Sequence, residues 1–275
     1  MTTFFFRHLN KLYLFLLFGT VLFQRCKKET ATGSLTGNHA VVEGYLQANK
    51  HIEIKITKEI PYTSDDSAEY LPNLDVYIIH NNVMTKLYYK GSAIYADTNI
   101  LVMASDTYKL QFDYNGFTIA ATTVIPTKPS NFKASTDTLS VPDFSSGFPS
   151  SGNPPTFPDP IKLTWDNPDK SFFLVAVKAQ STTTTISNGS GNTLPIFRKE
   201  PTQGAEQQLR MQDFEYLGMH DIILYKVTGD YAALYKTTGT NSQNLASPQT
   251  NIKNGLGSFA GLNQADNIEL LVKKE

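Results

Sequence analysis

The chain has 275 residues, 24 basic against 25 acidic, for a formal net charge of −1. That balance excludes the strongly basic field of a nucleic-acid binder. A single cysteine excludes an intramolecular disulfide framework and any cysteine-based zinc cluster.

Charged residues make up only 18% while aromatics reach 12%, and Thr, Ser, Asn, Gly and Pro fill the remainder. This is a composition of strands and turns rather than helices. At the amino terminus Arg7, His8 and Lys11 precede an apolar run from Leu12 to Phe23. The run has the length of a signal-peptide core and falls short of the roughly 20 residues a membrane span needs. Cys26 follows at once, so residues 1–25 are expected to be a signal peptide and Cys26 a lipidation site. Acylated on its thiol and on its new amino group, that cysteine anchors a chain far more firmly than one acyl chain does. Arg25 stands where lipoprotein signals place a small residue, and a plain signal peptide or an uncleaved anchor is the alternative. Residues 26–39 are polar and aperiodic, which predicts a flexible tether.

Residues 40–126 alternate apolar and polar in short segments, the period of half-buried strands. His51 to Thr57 carries Ile52, Ile54 and Ile56 on one face with Glu53 and Lys55 on the other. Asn81-Asn82 and Asn115-Gly116 separate further strands and tolerate the positive φ of tight hairpins. An antiparallel sandwich is predicted here.

A second sandwich is predicted over 130–275. Ile161 to Trp165, closed by Pro168, and then Phe172 to Ala179 resemble the second and third strands of a fibronectin type III domain, with the sole tryptophan across the core. Gly218 to Val227 supplies another core strand. Two polar insertions, 140–160 and 180–208, are long enough to be either functional or unstructured. Alternating strand directions would bring both out at one pole, the predicted binding surface.

Catalytic and metal chemistry is poorly signalled. The five histidines lack ligand spacing, although His39 and His51 with Glu43 or Glu53 make a conceivable metal site. Asp65, Asp66 and Glu69 offer oxygen ligands for calcium without the spacing of a known loop. Asp159 and Asp166 are the carboxylate pair to weigh for glycoside hydrolysis. The expectation is a non-enzymatic chain without metal or cofactor. Ser67 in Asp66-Ser67-Ala68 and Thr138 in Asp137-Thr138-Leu139 fit a three-residue O-glycosylation pattern of exported Bacteroidota proteins.

Cys26 after the signal, Val42-Glu43-Gly44-Tyr45, Tyr108-Lys109-Leu110, Ala121 to Pro126, and above all Asn251-Ile252-Lys253-Asn254-Gly255-Leu256-Gly257-Ser258-Phe259 together resemble the Bacteroidota lipoprotein family known as domain of unknown function 4249. The resemblance implies an outer-membrane, lipid-anchored protein. It implies a first domain similar to the carboxypeptidase-regulatory, transthyretin-like sandwiches, and a TonB-dependent receptor as partner. From residues 254–257 alone, the glycines are expected to take backbone conformations closed to other residues and let Phe259 fold back onto a sandwich. The function expected is that of a binding or assembly module accessory to such a receptor, with a surface adhesin or glycan binder as the alternative and an unrecognised hydrolase behind both.

Overall fold

A computed structural model describes residues 38–60, 67–143, 157–186, 196–235 and 249–275. The expected signal peptide, Cys26, nearly all of the tether, Asp65 and Asp66, and the middle of both insertions lie outside the described residues.

The chain is nearly all β. In β1 (Ala40–Gln47) and β2 (His51–Lys58) the alternation read from the sequence becomes burial: Val42, Leu46, Ile52, Ile54 and Ile56 are inside. Glu43 and Lys55, opposite each other in register, meet outside at 2.9 Å. Such an exposed pair contributes at most about 1 kcal/mol, so the isoleucines hold this hairpin. The strands β3 (Val76–His80), β4 (Val83–Gly91), β5 (Ile94–Leu101), β6 (Thr107–Tyr114) and β7 (Phe117–Val124) complete the first lobe. Asn81 and Asn82 take φ of 50° and 62°, and Asn115 and Gly116 take 50° and 79°, as their turn chemistry predicts. Strand β4 pairs with β3 through its first half and with β5 through its second, changing partner between Leu87 and Tyr88, and a bulge between Tyr89 and Gly91 precedes the turn into β5. The two halves of the sheet thereby face each other across a core that includes Tyr95, Tyr108, Phe112 and Leu110.

The second lobe contains β8 (Lys133–Ala134), β9 (Thr138–Val141), β10 (Ile161–Thr164), β11 (Phe172–Ala179), β12 (Ile196–Arg198), β13 (Glu206–Leu209), β14 (Gly218–Val227), β15 (Leu256–Gln264) and β16 (Ile268–Lys274). A three-stranded sheet β13-β10-β8 packs on β12-β11-β14-β16, with β9 paired in parallel to β16. This is the strand order of a fibronectin type III sandwich with β15 inserted before its last strand. Trp165 is buried between the sheets, 5.5 Å from the Phe173 ring. The stretch 180–208, expected as one polar insertion, carries β12 and most of β13, whose pairing needs were invisible in so polar a sequence.

Strand β15, which the domain boundaries read from sequence assign to the second domain alone, serves both lobes. It leaves β14 at Val227 opposite Leu262 and continues in parallel beside β1, with Val42 opposite Gly257 and Gly44 opposite Phe259. Phe259 and Ile252 belong to the first core, although they lie far inside the segment expected to build the second. Just before β15, Lys253 exchanges both backbone hydrogen bonds with Ala120 of β7 at 2.8 and 3.3 Å. The first lobe is closed by the far end of the chain, and both lobes share one sheet.

Directions follow from the pairing. The described chain enters at Asn38, where the Asn115 side chain donates to its carbonyl, at the lower end of β1. From Val41 opposite Leu256, up β15 to Gln264 opposite Tyr225, and on along β14 to Gly218 is roughly 50 Å of strand at about 3.3 Å per residue. Strands β9 and β11 both run toward that far end, so Val141 and Ala179, where the two insertions begin, leave it on the same side. No helix among the described residues is long and apolar enough to cross a membrane.

Candidate functional site

At the far end of the second lobe lies a cleft of about 460 Å³, between the edge strand β12 and the segment that crosses from β13 to β14. Its size is that of a small-molecule site. The crossing segment is pinned at several points. A 3₁₀ turn, Met211–Asp213, is capped by the Asp213 carboxylate, which accepts from the Arg210 amide at 2.8 Å. The Lys199 ammonium pairs with the same oxygen at 2.6 Å, both side chains being largely buried. The Glu215 carbonyl accepts from Ile186 and the Leu217 amide donates to Thr184. Asp213 is therefore committed to holding the wall in place.

Apolar Val177, Ala179 and Phe214 line part of the cleft, and His220 of β14 lines it too. The His220 ring meets Phe214 edge-on at 5.3 Å. Its Nδ1 donates to the Gly218 carbonyl at 3.0 Å, a group that can only accept, so Nδ1 carries the proton and Nε2 is a bare acceptor. That Nε2 is buried and has no partner among the described residues. Burial, the main cause, lowers the imidazole's pKa below its ordinary value, against the pull of the Gly218 carbonyl and Asp221.

The rim is polar. Arg198, Gln212 and Glu215 are exposed, and none makes a side-chain hydrogen bond or ion pair among the described residues. Arg198 also lines a smaller cleft of about 150 Å³ on the outer face of the shared sheet, with Gln47, Tyr225 and Tyr231. Burial raises the pKa of both tyrosines, keeping their hydroxyls protonated. Beside this smaller cleft Tyr231 makes an edge contact with Tyr45 at 5.4 Å.

The residues singled out from sequence lie elsewhere. Ser67 is exposed near the lower end of the first lobe, and Thr138 opens β9 half-buried, its hydroxyl donating to Asp137 at 3.1 Å. His39 and His51 stand at opposite ends of the β1–β2 hairpin, and His39 is paired with Glu59 at 2.7 Å. They cannot share a metal. No cluster of three metal-ligating side chains occurs among the described residues. Glu69 is engaged by Lys58 at 2.8 Å, while Asp65 and Asp66 fall outside the described residues. Asp159 precedes β10 and Asp166 follows it, so roughly 20 Å of strand separates carboxylates that a glycosidase needs within about 10 Å. That pairing is discarded. Asp166 instead accepts from Ser130 and Asn131.

Sequence reasoning missed the cleft because its wall is drawn from three separate segments with no motif among them. The one available signal was Arg198, inside the insertion flagged as a binding pole.

The motifs that carried the family resemblance converge away from the cleft. Val42-Glu43-Gly44-Tyr45 lies in register against Gly257-Ser258-Phe259-Ala260, and the strand ending at Val124 closes on Lys253. They are the closure of the first core. A search of the curated proteins finds no match to this chain. The family described as Domain of unknown function (DUF4249) matches residues 29–268, and the chain belongs to that family.

Proposed function

We propose that the protein is a lipid-anchored binding module of the outer membrane, accessory to a TonB-dependent receptor. The observation that carries this reading is the polarity of the molecule. The basic, apolar and cysteine pattern that predicts an anchor precedes the lower end of the first lobe, while the cleft sits at the other end of about 50 Å of continuous strand. A sheet running through both lobes supports a role in which a site is held away from the end of the first lobe that the tether leads into. The receptor as partner rests on the expectation attached to the family resemblance.

The test is purification from the native membrane in mild detergent, with mass spectrometry of whatever remains bound in comparable amount. Recovery of a TonB-dependent receptor is the expected result. Recovery of the lipoprotein alone overturns the accessory role and leaves an independent surface binder, which the exposed tyrosine and arginine around the smaller cleft favour as the second reading.

A further inference from the structure

The polar groups of the distal cleft carry unspent hydrogen-bonding capacity of a particular kind. Arg198 offers up to five donors, Gln212 two donors and an acceptor, Glu215 two acceptor oxygens, and His220 a buried acceptor without a partner among the described residues. Donors and acceptors are thus mixed around the cleft. The charges also cancel: Arg198 is offset by Glu215, and Asp213 by Lys199. A cleft of zero net charge gives no advantage to an ion, whereas an array of planar donor and acceptor groups matches hydroxyls, each of which both donates and accepts. The apolar remainder, Val177, Ala179 and Phe214, suits the C–H face of a ring.

We propose that this cleft is a saccharide-binding site for a neutral sugar, entered by a ring whose hydroxyls bridge Arg198, Gln212 and Glu215. The inference rests on the binding-module reading and gives that module its ligand class. The ligand is longer than one ring. Arg198 walls both the distal cleft and the smaller one beside Tyr225 and Tyr231, so the guanidinium stands where two successive units would meet, and the protonated tyrosine hydroxyls serve the second.

The experiment is saturation-transfer NMR, followed by calorimetry, on the full mature chain against soluble gluco-, manno-, galacto- and xylo-oligosaccharides, with uronic acid oligosaccharides in parallel. Binding is expected to a neutral member, stronger for the disaccharide than for the monosaccharide. Arg198→Ala and Glu215→Ala are expected each to weaken it by about tenfold or more, as loss of a hydrogen bond to a charged group does. Both side chains are exposed, so unchanged unfolding midpoints verify that the variants fold. Absence of binding across the panel, preference for the uronic acids, or affinity untouched by both substitutions each overturns the proposal. Receptor co-purification is read separately. A chain that keeps its receptor and binds no sugar refutes the ligand class alone, and one that binds sugar without a receptor refutes the accessory role alone.

Discussion

Gly257→Ala tests whether the chain's far end closes the first lobe. Gly257 has φ of +98°, and a Cβ there would sit 2.0 Å from the Val42 carbonyl oxygen and 2.9 Å from its carbon and nitrogen. Two costs follow. The backbone conformation itself disfavours alanine by about 1–2 kcal/mol. The contact is then relieved only if β15 moves off β1 by an ångström or more, which weakens the ladder bonds around Val42 at about 1 kcal/mol each and loosens Phe259 in its socket, for a further 2–4 kcal/mol or so. Gly91→Ala is the control, because Gly91 has nearly the same φ, +94°, with nothing within 4 Å of its would-be Cβ. Equilibrium urea unfolding, followed by circular dichroism and by Trp165 fluorescence, should place Gly257→Ala about 2–4 kcal/mol below Gly91→Ala, a large share of the 5–15 kcal/mol typical of a folded domain. Trp165 lies in the second lobe, so a shift in its transition also reports that the shared sheet unfolds as one unit. A gap below about 1 kcal/mol between the two variants would refute the reasoning.

Other outcomes follow from the same geometry. Asn251→Ala removes a side chain that accepts from the Phe259 amide at 2.9 Å and donates to its carbonyl at 2.7 Å, and should cost about 2–3 kcal/mol in the same urea assay. Because burial depresses the His220 pKa, the unfolded chain takes up a proton below about pH 6.5 that the folded chain resists. Stability is therefore lost as pH falls through that value, and the loss is complete below the folded pKa. His220→Phe should flatten this part of the pH dependence, and midpoints at pH 8 and pH 5.5 that shift equally in both proteins would rule it out. Cys26→Ser should move the protein from the membrane fraction to the soluble fraction on cell fractionation, whereas retention in the membrane would point to an uncleaved apolar segment or a strong partner.

Local patterning made most strands legible. Alternation placed Ile52, Ile54 and Ile56 inward, and the Asn81-Asn82 and Asn115-Gly116 turns fall where their φ tolerance predicts. The turn between β4 and β5 is formed by Ser92 and Ala93 at positive φ, and Ala93 is not a turn residue, so the following strand has no clear start in the sequence. Alternation fixes which face a residue takes but not which strand lies beside it, so nothing in residues 256–264 announced β1 as neighbour. The glycine reading was half right in its particulars. Gly257 uses positive φ, but in Gly255 the constraint is space, with the Ala40 carbonyl 3.0 Å from a would-be Cβ, and the left-handed residue beside it is Asn254. Phe259 does fold back, onto the first core, where Gly44 has no side chain to obstruct its ring. The cleft left no local trace, since exposed Arg, Gln and Glu are indistinguishable in sequence from an ordinary solvated surface.

The late arrival of β15 sets an order of events during synthesis. A chain made from its amino end releases β1 more than two hundred residues before the strand that will lie against it, given the Val42–Gly257 pairing. Until then one edge of β1 is an unpaired row of amides and carbonyls, and the first core lacks Phe259. Neither lobe is a self-sufficient folding unit: cutting after residue 126 leaves the first with an open, adhesive edge, and starting at residue 130 leaves β15 without the neighbour it runs beside. Such long-range closure folds slowly and invites premature association with other copies, so a chaperone or a partner that shields the β1 edge would raise the yield of native protein.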